Sequence, residues 1–303
     1  MPGAAARTLT RSVFFIPGGS ERFLAKASGI RADIVAFDLE DAVPPAEKAR
    51  ARELVRAHLK AVGAGSRAYC RVNGWETGFT GDDLEGVVHH GLAGISLSKC
   101  EGPDDVRSLD SALQALEQSR GLRPGSVEIQ LFIESARGLV RAYESATACP
   151  RVRTLVLGAL DYARDMGLSP KGKSAGLAHA RAALAVSARA AGCLPIDHVY
   201  IDYRDLEGFE RSTLEGRDLG YAGRMLFHPD QIEPCHRVFA PSDDEVAWAE
   251  RVVAAFEAEA LPAGLAAISF EGRMADLATY ESARSVLAGA LATGRRGEQA
   301  GRE

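Results

Sequence analysis

Between residues 11 and 227 the chain repeats one alternation eight times: a short run rich in β-branched and aromatic residues, then a longer stretch or a turn before the next run. The runs are 11–16 (RSVFFI), 33–39 (DIVAFDL), 67–72 (RAYCRV), 94–98 (GISLS), 127–133 (VEIQLFI), 153–157 (RTLVL), 198–202 (HVYID) and 224–227 (RMLF). Several intervening stretches have helical periodicity with start and stop signals. Residues 20–28 end at Gly29, 45–62 open on Pro45 and end at Gly63, 104–120 begin acidic and end before Gly121, and 176–191 end at Gly192. Repeated strand–helix–strand units predict parallel strands joined by helical crossovers. Eight units in about 220 residues suit a closed (β/α)8 TIM barrel. An open, doubly wound sheet is the alternative.

After the eighth run the pattern changes. Residues 243–260 are amphipathic, 261–264 (LPAG) break the helix, and 267–270 precede a last helix over 277–291. The expected organisation is a barrel over 1–240, a C-terminal helical extension over 241–292, and a polar, disordered tail over 293–303. With 46% hydrophobic and 25% charged residues, a core of normal size needs no staple. A net charge of −5 disfavours nucleic acid as a partner. The five cysteines are odd in number and form no CxxC pair, which fits a reducing cytoplasm and argues against a zinc or disulfide framework. The first ten residues carry no apolar leader, and no apolar run reaches the ~18 residues of a membrane span.

A barrel places its chemistry at the C-terminal ends of its strands. There the second run offers Asp38, Glu40 and Asp41, the third Arg71 and Asn73, the fourth Ser98 and Lys99, the fifth Glu134, and the sixth leads to Asp161. Carboxylates gathered at one rim repel each other, and a hard divalent cation is the simplest compensation. Glu134 and Asp161, on successive units, are candidates to share such an ion, and two protein ligands suit Mg²⁺. A salt bridge to Arg71 or Lys99 is the competing reading. Arg71 offers a planar fork for a carboxylate or a rim ion pair. Lys99 either polarises a carbonyl or pairs with Asp38 or Glu40. Arg22 and Lys26, four apart, share a face of the first helix, for phosphates or for solvent. The Gly18-Gly19-Ser20 turn matches no phosphate-loop motif. His228 either binds a ligand or orders its loop, and Cys70 and Cys100 read as packing residues.

These segments also resemble a known family. RSVFFIPGG (11–19), DIVAFDLEDAVPPAEKARAR (33–52), RVNG (71–74), FIESARG (132–138), GALDYARDMG (158–167), GRMLFHPDQI (223–232) and FAPSDDEVAWAERVV (239–253) occur in the order seen in the HpcH/HpaI aldolase–citrate lyase family. The chain is similar to its citrate lyase β-subunit-like branch, of the malyl-CoA or citramalyl-CoA lyase type. The resemblance implies a (β/α)8 barrel, Mg²⁺ bound by Glu134 and Asp161, and Arg71 gripping the carboxylate of an oxo-acid half. It implies CoA contacts at Phe15, Arg22 and Lys26, with Glu40 and Asp41 beside the metal and its waters. It further implies that Asp276, in EGRMAD (271–276), performs acid–base work in a neighbouring subunit's site, and hence a homo-oligomer, a trimer or hexamer. The chain departs from the family where Ser98-Lys99 replaces a usual Pro-Lys, where Tyr162 follows the metal-ligand Asp in place of Leu, and where Phe15 replaces a frequent Tyr.

The expected reaction is retro-Claisen cleavage of a 3-hydroxyacyl-CoA into an oxo acid (glyoxylate, pyruvate or oxaloacetate) and an acyl-CoA. The alternatives are a Mg²⁺-dependent malyl-CoA-type thioesterase, a citrate lyase β subunit active only with an acyl-carrier subunit, and an aldolase acting on free acids without CoA.

Overall fold

The computed structural model describes residues 9–169 and 175–293. The expected tail, apart from Thr293, lies outside the described residues. The chain divides into two compact units, Met1–His236 and Arg237–Glu303.

The first unit is a closed barrel of eight parallel strands in sequential order: β1 (Ser12–Pro17), β2 (Ile34–Asp38), β3 (Arg67–Val72), β4 (Gly94–Leu97), β5 (Glu128–Ile133), β6 (Val152–Leu157), β7 (Leu194–Asp197) and β8 (Gly223–Leu226). β8 pairs back onto β1 through Ser12–Arg224, Val13–Met225 and Phe14–Leu226. This excludes the open sheet. In chain order the helices are α1 (Glu21–Leu24), α2 (Lys48–His58), α3 (Thr80–Val87), α4 (Pro103–Ser119), α5 (Ala136–Val140), α6 (Ala142–Thr147), α7 (Ala159–Asp165), α8 (Ala175–Ala190), α9 (Leu206–Asp218) and α10 (Ile232–Phe239). Among the described residues no helix is long and apolar enough to cross a membrane.

Strand alternation decides what fills the barrel. Val13, Ile34, Ala36, Tyr69, Phe132, Val156, Ile196 and Met225 form one buried cluster. Between these apolar residues, Ser96, Gln130 and Thr154 are register neighbours on β4, β5 and β6. The Ser96 hydroxyl donates to Gln130 Oε1 and Gln130 Nε2 donates to Thr154 Oγ1, each at 2.9 Å, so these buried polar groups are satisfied. Two residues further along the same inward rows come Asp38, Arg71, Ser98 and, just past β5, Glu134. The period of two that packs the interior thus lifts charged residues to the C-terminal mouth.

Seven of the eight expected runs coincide with strands to within two residues at either end. The seventh does not. The strand is Leu194–Asp197, whereas 198–202 form the loop that follows it. Proline is rare inside a sheet, which made LPID a poor strand on paper, yet the Pro195 carbonyl accepts from Ala222 N at 2.9 Å. The register is locked from outside the barrel. Asp197 is fully buried, and Arg181 of α8 donates to it from Nε at 3.2 Å and from Nη2 at 2.6 Å. Arg224, also fully buried, donates from Nε to the His198 carbonyl at 3.0 Å and from Nη1 to Thr213 Oγ1 at 3.0 Å.

The second unit holds α11 (Asp243–Ala255), the single turn α12 (Leu261–Ala263), a two-stranded antiparallel sheet of β9 (Ala267–Phe270) and β10 (Arg273–Asp276), and α13 (Leu277–Ala292). The sheet is an addition to the all-helical extension expected there. α11 opens with a capping box between Ser242 and Glu245. Phe256 stacks on Tyr280 at 4.8 Å in a small core of its own.

Candidate active site

Most of the charged side chains at the barrel mouth are paired with one another. Arg71 closes on Asp38 through two parallel bonds, Nε to Oδ1 at 2.8 Å and Nη2 to Oδ2 at 2.6 Å. Its Nη1 lies 2.9 Å from Glu40 Oε2. The guanidinium is further held near the rings of Phe15 and Phe132, at 5.3 and 5.4 Å. Burial alone would lower the Arg71 pKa, but the charge and hydrogen bonds of Asp38 outweigh it and keep the group protonated. Lys99 Nζ donates to Glu40 Oε1. Burial pushes Glu40 above the usual carboxylate range despite the opposing charges of Arg71 and Lys99.

The turn that carries Glu40 is fixed from below. Lys48 is buried and donates to the carbonyls of Leu39 and Glu40 at 2.7 and 3.1 Å. Asn73 Nδ2 adds a bond to the Leu39 carbonyl at 3.0 Å and one to Asp83 at 2.6 Å.

Glu134 stands apart. Its partner is the Lys99 amide, which donates to Oε2 at 3.1 Å, and among the described residues no side-chain cation bonds to it. That amide is aimed by an unusual backbone, since Lys99 has φ +51°, the left-handed region that costs a non-glycine residue about 1 kcal/mol or more. Burial first, then the neighbouring charge of Glu40, pushes Glu134 up to about 8. Asp161, in the first turn of α7, pairs with the exposed Arg164 at 2.5 Å. The salt bridges to Arg71 or Lys99 that competed for Glu134 and Asp161 are therefore absent, because Asp38 and Glu40 take both cations.

Two cavities meet at Glu134 and Asp161. One, of about 270 Å³, is lined by Asp41, Arg71, Glu134 and Asp161 together with Phe15, Phe132, Gly158, Ala159, Leu160, Val199, Met225 and Phe227. The other, of about 230 Å³, is lined by residues of polar type: Glu76, Lys99, Glu101, Glu134, Ser135, Asp161, Arg164 and Asp165. The carboxylates around the mouth outnumber the cations Arg71, Lys99 and Arg164, which suits a divalent cation. Gly158 leaves room for the Glu134 carboxylate, since a Cβ there would overlap it, with Cδ only 2.8 Å away. Among the described residues no cluster of three or more His, Cys, Asp or Glu side chains could hold a metal. Glu134 and Asp161 could contribute two carboxylates to a Mg²⁺ ion, leaving its other positions to water and substrate.

The other expected residues fall as follows. Phe15 lines the apolar cavity, and Asp41 lines it while exposed to solvent. Arg22 and Lys26 are exposed and line neither cavity. They do not share one continuous helix, because α1 ends at Leu24 and Lys26 precedes a separate 3-10 turn at Ala27–Gly29. Gly18 serves packing, as a Cβ there would lie 2.7 Å from the Asp38 carbonyl. His228 orders its loop by capping the turn Pro229–Gln231. Cys70 and Cys100 are buried, and burial pushes the Cys70 thiol well up and that of Cys100 to about 12, so both pack. Asp276 lies in the second unit, where it caps α13 by accepting from Thr279 N at 2.9 Å and Thr279 Oγ1 at 2.8 Å. Those bonds, the backbone amide first, hold its pKa below the usual carboxylate value.

The sequence reading missed Phe132, Gly158, Leu160, Val199, Met225 and Phe227 as cavity walls. Phe132 and Met225 were readable as the inward neighbours, two residues back, of Glu134 and Phe227. Val199 was hidden by the misplaced seventh strand.

A closed parallel barrel with a two-carboxylate site at its C-terminal mouth defines a class of enzyme-like scaffold. Within that class the chain belongs to the HpcH/HpaI aldolase/citrate lyase family, whose sequence profile matches residues 11–229. It is 37% identical over 280 residues to the citrate lyase subunit beta of Leuconostoc mesenteroides subsp. cremoris, covering 92% of each chain. It is 32% identical over 307 residues to the L-malyl-CoA/beta-methylmalyl-CoA lyase of Rhodobacter capsulatus, covering 94% of this chain and 96% of that one. Among solved structures it resembles protein CitE from Mycobacterium tuberculosis in complex with magnesium, acetoacetate and coenzyme A. The TM-score is 0.76 at 27% identity, over 94% of this chain and 99% of that one.

Proposed function

We propose that this chain is a Mg²⁺-dependent carbon–carbon lyase that cleaves, or forms, a 3-hydroxyacyl-CoA bearing a carboxylate at its carbinol end. The products are an oxo acid and an acyl-CoA. The observation that carries this reading is Glu134, a buried carboxylate that bonds no side-chain cation among the described residues and faces two cavities beside Asp161. The relatives named for malyl-CoA cleavage and for citrate lyase, and the related structure holding magnesium, acetoacetate and coenzyme A, support it.

Glu134 and Asp161 would hold the ion. When bound, Mg²⁺ supplies a Lewis acid for the substrate's carboxylate and carbinol oxygens. Arg71 has five N–H groups, of which two bond Asp38 while Nη1 lies beside Glu40, so N–H groups remain for the substrate carboxylate. Because Asp38 and Glu40 fix the guanidinium beforehand, little ordering is left for the reaction itself. The walls formed by Phe15, Phe132, Val199 and Met225 give the substrate an apolar surround beside the charged residues. Phe15, Arg22 and Lys26 would meet the CoA portion. Asp276 of a second copy would exchange the proton at the acyl carbon, which makes the working form a homo-oligomer, a trimer or hexamer.

Glu134→Ala and Asp161→Ala test the assignment. Each is expected to abolish Mg²⁺-dependent cleavage and weaken Mg²⁺ binding in calorimetry while keeping the barrel's circular dichroism. Full turnover in either variant would remove that residue from the metal site.

A further inference from the structure

The helix that carries Asp161 also ties down the segment that carries Glu134. Within α7, Asp161 and Asp165 lie four residues apart and so share one face. Asp165 Oδ2 accepts from the Ala136 amide at 2.8 Å, two residues past Glu134. Deeper in the barrel the same two segments meet again, where the Gly158 amide donates to the Ile133 carbonyl at 3.0 Å. These two bonds bracket the carboxylate pair. Ile133 and Ala136 flank Glu134 along one segment, and Gly158 and Asp165 flank Asp161 along the other.

From the opposite side, the loop after β4 holds Glu134 and Ser135. The Lys99 amide donates to Glu134 Oε2 at 3.1 Å, and the Ser135 hydroxyl donates to Glu101 Oε1 at 2.6 Å. Gly138 permits this approach, since a Cβ there would lie 2.6 Å from the Cys100 carbonyl. Two carboxylates can share one ion only if their segments keep a fixed separation. α7 is short, and Arg164, Asp165, Met166 and Gly167 at its far end are exposed. Core packing therefore fixes the start of this helix better than its end, and the bond from Asp165 restrains the end.

We propose that Asp165 is a positioning residue for the metal site, setting the Asp161 helix against the Glu134 segment so that both carboxylates face one ion. The proposal rests on Glu134 and Asp161 being the ligands. Positioning does not need a charge at Asp165, because a side-chain amide oxygen accepts from the same backbone N–H. A direct attraction between Asp165 and the ion would need it.

Mg²⁺ calorimetry on the full-length protein separates the two, with thermal unfolding of the metal-free form as the control for folding. Asp165→Ala is expected to raise the Mg²⁺ Kd about tenfold or more, while Asp165→Asn stays within about threefold of the parent. Ala136→Pro cuts the bond from the other side and keeps every charge. Residue 136 opens α5, and Ser135 before it has φ −140° and ψ 164°, so both positions suit a proline. This variant is expected to weaken Mg²⁺ binding as Asp165→Ala does, and combining the two should add little further loss. Equal weakening in Asp165→Asn and Asp165→Ala would assign the effect to charge and overturn the proposal. A parent-like Kd in Asp165→Ala or in Ala136→Pro would overturn it too, leaving the bond a surface cap. Were Asp165→Ala to unfold, Ala136→Pro against Asp165→Asn makes the same comparison. If the parent protein binds no Mg²⁺, the assignment of Glu134 and Asp161 falls, and this proposal with it.

Discussion

Gly158 makes room for Glu134. The Gly158 amide donates to the Ile133 carbonyl at 3.0 Å, which fixes the close approach of the chain after β6 to the end of β5. A Cβ at Gly158 would fall on the Glu134 side chain. Gly158→Ala is therefore expected to displace the carboxylate rather than unfold the barrel. Mg²⁺ affinity should fall at least tenfold in calorimetry, while stability drops by about 1–3 kcal/mol, as for an overpacked core position. Undiminished Mg²⁺ binding would show that Glu134 is not a ligand in this rotamer.

Lys99 performs two tasks that substitution can separate. Its ammonium binds Glu40, and its left-handed backbone aims an amide at Glu134. Lys99→Ala and Lys99→Gly both leave Glu40 with Arg71 as its remaining partner, and each should cost roughly 1–3 kcal/mol. Glycine takes φ +51° without strain, so Lys99→Gly is expected to be the more stable of the two by about 0.5–1 kcal/mol in denaturant unfolding. The reverse order would mean that the backbone at Lys99 relaxes on its own.

Far from the mouth, Glu117 gives a pH prediction. Burial raises its pKa, but the Arg151 hydrogen bonds and the amides of Val127 and Gly125 outweigh burial and bring it to about 2. A depressed folded-state value means the ionised form is favoured by folding. The contribution is whole above the unfolded value near 4.5 and is lost as pH falls towards 2. Glu117→Gln should cost about 2 kcal/mol at pH 7, and the gap from the parent protein should close between pH 4.5 and 2 in urea titrations. A gap independent of pH would assign the loss to packing.

Arg22 and Lys26 line neither cavity, so their expected role is confined to the distant part of a CoA thioester. Arg22→Glu combined with Lys26→Glu should raise the KM for a CoA thioester about tenfold or more, while leaving oxo-acid affinity unchanged. Equal losses for both ligands would point instead to a folding defect.

Much of this was legible in the chain because strand alternation fixes both the core and the rim. Asp38, Arg71 and Glu134 are inward positions at strand ends, and their acid–base character survives in the linear text. What the sequence does not carry is the pairing. Both Arg71 and Lys99 were plausible partners for Glu134 or Asp161, and three-dimensional packing, in which Lys48 and Asn73 hold the Leu39–Glu40 turn, decides that Asp38 and Glu40 take them. Leu194–Asp197 was obscured by Pro195, and a buried Asp197–Arg181 pair overrode the local preference of 198–202 for a strand. The hairpin of β9 and β10 turns through Glu271 and Gly272, both at positive φ, and Glu271 gave little warning of it.

The most direct test of the central claim is cleavage by the purified protein of malyl-, methylmalyl-, citramalyl- and citryl-CoA, with and without Mg²⁺, following the oxo acid and the thioester separately. The account predicts Mg²⁺-dependent release of an oxo acid together with an intact acyl-CoA from at least one of them, and no turnover in chelator. Release of free CoA without any oxo acid would contradict it and make the site hydrolytic.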